Sequence, residues 1–183
     1  MIEFIEDTTN GYRSRTQKNA QADVTIAFAC DFGSAGEILT KNSVFKNKKT
    51  YIPIDTNTLN ISDELIKNIV DQLNKSGQVD LFTGVRNVTL NIAGNGIYTM
   101  KGKWSQDQLD DYTYNVLKKV IEMFQGNIVS IRSGGQTGFD EAGAKAGVKL
   151  GIKTTILAPK GWRFRDKTGK DIMSDQLFKK RFK

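Results

Sequence analysis

Three loops carry the residue types that hold anions and move protons. They are Cys30-Asp31-Phe32-Gly33-Ser34-Ala35-Gly36-Glu37, Ala93-Gly94-Asn95-Gly96 and Ser133-Gly134-Gly135-Gln136-Thr137-Gly138-Phe139-Asp140. In the third, Gly134 and Gly135 let a backbone approach a ligand closely, Gln136 and Thr137 offer polar side chains, and a helix after Gly138 would aim unpartnered N–H groups at the turn. Phosphate is the natural guest of such a turn. Upstream lies a polar cluster of Arg13, Arg15, Thr16 and Asn19, where an arginine can fork onto phosphate or carboxylate. Arg132 and Lys160 are further cations for the same task. Asp31, Glu37 and Asp140 would border the crevice, and two carboxyls can divide acid and base roles when burial separates their pKa values. The competing structural reading makes Asp140 a helix cap, Glu37 a first-turn carboxylate and Asp31 a turn residue.

What the chain lacks narrows the chemistry. There is no His among the 183 residues, so a Ser-His-Asp triad is excluded, and with it the commonest metal ligand. Cys30 is the only cysteine, which rules out an intrachain disulfide or a multi-cysteine metal site and suggests a packed thiol in a reducing compartment. No metal or cofactor is predicted. No Gly-x-x-x-x-Gly-Lys-Ser/Thr occurs, and Gly94-Asn95-Gly96 is followed by Ile97 and Tyr98 rather than by a third fingerprint glycine, so neither a P-loop nor an ordinary dinucleotide site is expected. The acidic start MIEFIEDTTN has no basic-then-apolar leader, and no run approaches the ~18 apolar residues of a membrane span. A cytoplasmic location is the expectation.

The elements that must position these loops follow from period. Apolar runs at 23–30, 50–54, 87–93, 128–133 and 153–158 predict buried strands of a largely parallel sheet. Three of them end in the glycine loops, and carboxyl-end loops of an open α/β sheet line one crevice. Ser105 and Gln108 form a capping-box pair ahead of a helix that buries Leu109, Tyr112, Val116, Val120 and Phe124. Ser62, Asp63 and Glu64 open a second helix with Leu65, Ile66, Ile69, Val70 and Leu73 on its apolar face. A third follows Gly138, with small residues that let it sit close on the sheet. Strands alternating with helices predict a doubly wound α/β fold in one domain spanning 1–183, with flexible stretches only at 74–84 and 167–170.

Charge is uneven: residues 160–183 hold nine Lys/Arg against three Asp, which is +6 of the net +7. A solvated terminal segment is the simpler reading and nucleic-acid affinity the sharper one. Leu117 and Ile121 broaden the apolar face of the helix after Ser105, which predicts packing on a second subunit and a homo-oligomer.

The run 133–140, followed by Gly151-Ile152 and Ala158-Pro159-Lys160-Gly161, resembles the signature of the SLOG superfamily. That group includes bacterial molybdenum cofactor carriers, the Rossmann domain of DNA-processing protein A and the lonely-guy phosphoribohydrolases. The carrier branch is the most similar, through Gly-Gly-Gln-Thr-Gly, an Asp and a later Pro-Lys-Gly. Arg15-Thr16, Asn19, Ala22-Asp23 and Gly33-Ser34-Ala35-Gly36 resemble the later half of that pattern but come first here, while 87–96 resembles its opening strand. The resemblance therefore implies a circularly permuted SLOG-like domain: a Rossmann-like three-layer sandwich over residues 12–55 and 87–172. It implies a pocket for a nucleotide-derived ligand with phosphate on the glycine loops. Fold alone does not imply catalysis. Aligned on the lonely-guy loop, Glu37 stands where Thr belongs and Thr40 where the catalytic Glu belongs, which weakens the hydrolase reading.

The leading expectation is a cytoplasmic binding protein for a phosphorylated nucleotide-derived small molecule. Relatives that sense signalling nucleotides in antiphage defence suggest a phage sponge that sequesters such a signal. The alternatives are a nucleotide N-glycosidic or phosphate-ester hydrolase using Glu37 and Asp140, and a molybdenum cofactor carrier. Membrane and nucleic-acid partners are not expected.

Overall fold

The computed structural model describes residues 1–182; Lys183, the last cation of the basic end, lies outside them. The central sheet has seven strands: β1 (Ile2–Asp7), β2 (Val24–Ala29), β3 (Thr50–Asp55), β4 (Gln78–Val79), β5 (Arg86–Gly94), β6 (Asn127–Ser133) and β7 (Thr154–Pro159). Their order is β1-β7-β6-β5-β2-β3, all parallel, with the short β4 antiparallel on the start of β5. The five predicted strands lie within one residue of their expected ends. β1 was not predicted: it is an edge strand whose half-buried Ile2 and Phe4 alternate with exposed Glu3 and Ile5, and Glu3, Glu6 and Asp7 break up the apolar run. The stretch 74–84, expected to be flexible, instead holds β4 and a turn whose Asp80 Oδ1 accepts from the N–H groups of Phe82 and Thr83.

Among the described residues five helices join strands, α1 (Arg13–Asn19), α2 (Ala35–Lys46), α3 (Asp63–Leu73), α4 (Gln106–Met123) and α5 (Phe139–Lys149), and a sixth, α6 (Asp175–Lys180), follows the last strand. The path β1, β2, β3 crosses the sheet one way and β5, β6, β7 the other. Right-handed crossovers then put α1 and α2 on one face and α3, α4 and α5 on the opposite one, a three-layer Rossmann-like arrangement. β2 and β5 are neighbours at the reversal, so the chain leaves their carboxyl ends toward opposite faces and opens a crevice there. None of the described helices is long and apolar enough to cross a membrane.

The predicted caps form. Ser105 Oγ accepts from Gln108 N–H at 3.3 Å while Gln108 Oε1 accepts from Ser105 N–H at 2.9 Å, and Ser62 Oγ accepts from Leu65 N–H at 3.1 Å. Leu117 is wholly buried in the core of its own chain, with Val116 and Val120, so it cannot serve the second-subunit contact expected of it. Across the sheet ends, Phe28 stacks on Phe139 at 5.1 Å, tying the exit of β2 to the start of α5.

The basic end is not a solvated tail. A hairpin of β8 (Arg163–Arg165) and β9 (Asp171–Met173) leads into α6, whose Phe178 joins Phe164, Phe182 and Ile156 in a second core cluster. Arg181 pairs with the buried Glu141 and lies against the rings of Phe164, Phe178 and Phe182. The turn at 167–170 is held by Asp166 Oδ1, which accepts from the N–H groups of Thr168 and Lys170. Aromatic contact and ion pairing thus outweigh solvation for these cations.

Candidate functional site

A cleft of about 480 Å³ opens at the carboxyl ends of β2, β5 and β6, between α1, the start of α2 and the β8–β9 hairpin. The short helix α1 lays Tyr12, Arg15, Thr16 and Asn19 along it at three- and four-residue spacing, one helical face. Arg15 is 5 % exposed and donates to the carbonyl of Gly134. A Cβ on Gly134 would collide with Asp140 Oδ2 and lie 3.2 Å from the Arg15 guanidinium, so only glycine leaves room for both charged groups beside the loop. Asp140 also faces the backbone N–H groups of Gln136 and Gly94. It therefore ties two loops together within the field of Arg15; the helix cap position itself is Gly138, which makes no side-chain cap.

The start of α2 closes the second wall. Ser34 Oγ accepts from Glu37 N–H, leaving the Ala35 and Gly36 N–H groups without partners among the described residues. Glu37 is 3 % exposed, with the Tyr51 hydroxyl beside its carboxyl. Burial, reinforced by the nearby Asp140, pushes Glu37 up to about 7. Asp140 is pushed up to about 6, because desolvation outweighs the pull of Arg15. Two carboxyls near neutrality in one cleft are a functional-site signature.

The third loop is organised differently. Gln136 Nε2 donates to the Arg163 carbonyl at 2.9 Å, its Oε1 accepts from Arg165 N–H at 3.3 Å, and Thr137 Oγ1 donates to the Arg165 carbonyl. The side chains expected to bind ligand are thus spent on β8, and they hold Arg165 at the rim. Gly138 N–H goes to Gln106 Oε1 at 2.7 Å, Phe139 N–H to the Asn95 carbonyl and Glu141 N–H to the Gln136 carbonyl. Asn95 is likewise committed: its Oδ1 accepts from Cys30 and Asp31 N–H, both at 2.9 Å, and its Nδ2 donates to the Asp31 carbonyl and to Ser34 Oγ. It is the staple that sets the first loop against the second, with every amide position filled.

The structure gathers Arg15, Thr16, Asn19, Ser34, Ala35, Gly36, Glu37, Gly94, Asn95, Gly96, Gly134, Gln136, Thr137 and Asp140 around one cleft. It leaves the other expected residues outside. Arg13, Gly33 and Lys160 are exposed, Phe32 and Arg132 are half-buried outside the lining, Gly135 lies under the Phe178 ring, and Gly138 is packed on Asn95 and Gly96. Asp31 is exposed, and its Oδ1 accepts from Gly33 N–H. Sequence reasoning missed Tyr12, Tyr98 and Arg165. Tyr12 is flanked by Arg15 and Arg163, 5.2 and 4.8 Å from its ring, and Tyr98 lies 6.0 Å from Arg165. A helix read over 13–19 would have brought in Tyr12 by its spacing to Arg15 and Asn19.

Fold and site together define a Rossmann-like α/β protein with a polar, aromatic-rimmed cleft at its topological switch point. Comparison with protein-family models, with curated proteins and with solved structures gives no match.

Proposed function

We propose that the protein binds a phosphorylated, nucleotide-derived small molecule in this cleft. The carrying observation is the convergence of Arg15, and of Arg165 held on Asp171, with the N–H groups of Ala35 and Gly36, unpartnered among the described residues, at the crevice between β2 and β5. The arginines and the α2 dipole suit a phosphate, and Tyr12 and Tyr98 at the rim supply faces on which a base stacks. The permuted SLOG-like pattern agrees with this reading, since its Arg-Thr, Asn and Gly-Ser-Ala-Gly residues fall on α1 and the start of α2. Sequestration of a signalling nucleotide is the role such a site would serve without turnover.

A second reading, hydrolysis of the ligand, rests on Glu37 and Asp140. With both carboxyls near neutrality, one can protonate a departing base while the other takes a proton from the attacking water. Mass spectrometry of small molecules released from the denatured protein tests both readings. An intact nucleotide-like species that survives incubation with fresh protein supports binding. Its conversion to base and sugar phosphate establishes hydrolysis, and recovery of no phosphorylated species, with no nucleotide bound on titration, overturns both.

A further inference from the structure

Two buried oxygens of cleft-lining residues have no hydrogen-bond donor among the described residues: Glu37 Oε2 and Asn19 Oδ1. Their residues are 3 % and 4 % exposed, stand on the facing helices α2 and α1, and both line the same cleft. A buried acceptor left unmade costs far more than the net gain of an average hydrogen bond, so such a pair calls for two donors from outside the chain. Three neighbours come near without supplying them: the Tyr51 hydroxyl lies beside the Glu37 carboxyl yet leaves Oε2 unpartnered, the Thr40 hydroxyl is spent on the Gly36 carbonyl at 3.0 Å, and the Asn95 amide is filled by the first loop.

We propose that this corner is a subsite for a ribose diol, with Glu37 and Asn19 accepting from its two hydroxyls, so that the protein selects ribonucleotide over deoxyribonucleotide ligands. The inference rests on the nucleotide reading of the cleft and adds the part of the ligand that each wall recognises. Depth favours the sugar over the amino edge of a base. Tyr98 is 51 % exposed and Tyr12 half-buried, so base-stacking faces lie at the mouth while Glu37 and Asn19 are enclosed behind them. Asn19 also lies two helical turns from Tyr12, away from the edge of a base stacked there.

The test is calorimetric titration of the full chain with ADP, GDP and UDP, each paired with its 2′-deoxy counterpart, and with inosine diphosphate. The expected result is that each ribonucleotide binds about tenfold or more tightly than its deoxy partner. Glu37→Gln and Asn19→Ala should each shrink that ratio, with cooperative thermal melting of each variant showing that it folds. Equal affinity within every pair overturns the diol subsite and leaves the nucleotide reading standing. Discrimination that follows the base amino group, with ADP favoured over inosine diphosphate and ribose ignored, also overturns it and assigns the corner to the base. Failure of all of these nucleotides to bind overturns the subsite and the nucleotide reading together.

Discussion

The two loops that lead into α2 and α5 are both glycine-bearing strand-to-helix turns, yet they do opposite work. At α5 the Gly138, Phe139 and Glu141 N–H groups and the Gln136 and Thr137 side chains all have partners within the protein. At α2 the Ala35 and Gly36 N–H groups and one Glu37 oxygen have none among the described residues. The richer motif therefore builds the frame, and the plainer one keeps its groups open to the cleft, where the proposed ligand would sit. Polar residue types announce hydrogen bonding; only the partners decide whether it is spent inside or kept for a guest.

The largest expected effect tests where the two loops meet. Arg15→Gln removes the buried cation above Gly134 and should weaken binding of the recovered ligand, or of inorganic pyrophosphate, by about 2–5 kcal/mol in calorimetry. Gly134→Ala forces a methyl into Asp140 Oδ2 and should lower stability by about 1–3 kcal/mol in denaturant titration.

Glu37 carries the higher of two pH signatures in the cleft, since its counterpart on the α5 side, Asp140, is pushed up only to about 6. The folded pKa of Glu37 is raised from 4.5 to about 7, so its contribution to stability is full below 4.5 and is lost as pH rises through 7. Glu37→Gln has no such loss. The stability of the variant relative to the parent should therefore rise by about 1–3 kcal/mol across that window, as read from melting curves at stepped pH. A difference that stays flat with pH would show that Glu37 is not held in its protonated form.

Gln136→Ala sharpens the contrast from the other side. It should cost about 1 kcal/mol of stability through the two bonds to β8, and reduce ligand affinity only modestly, through the loosened Arg165. A loss of binding as large as that of Arg15→Gln would return Gln136 to the ligand. Smallest of all, Lys160→Ala should change stability by less than about 0.5 kcal/mol and leave binding intact, since its ammonium reaches only the exposed Asn10.

Much of this was legible in the chain. Buried strands such as Val24–Ala29 are continuous apolar runs, and the Ser105–Gln108 capping box marks a helix start by chemistry that acts within four residues. The position of the cleft followed from three strands ending in glycine. What was not legible depends on contacts distant in sequence. α1 is seven residues of polar sequence whose helicity comes from packing on α2 and β7, so Tyr12 went unread. The cations of β8 and α6 look like a solvated tail until Glu141 and the Phe178 cluster are placed beside Arg181. Leu117 looks spare on a helical wheel because its face broadens beneath neighbouring helices of the same chain.

The central claim is that the anion is taken at the α2 side of the cleft. Titrating isotope-labelled protein with inorganic pyrophosphate while following backbone amide resonances tests it directly. The account predicts the largest shifts at Ala35 and Gly36, with the Arg15 side chain moving in step and Phe139 and Glu141 nearly still. Shifts concentrated at residues 135–141, with Ala35 and Gly36 unmoved, would contradict it.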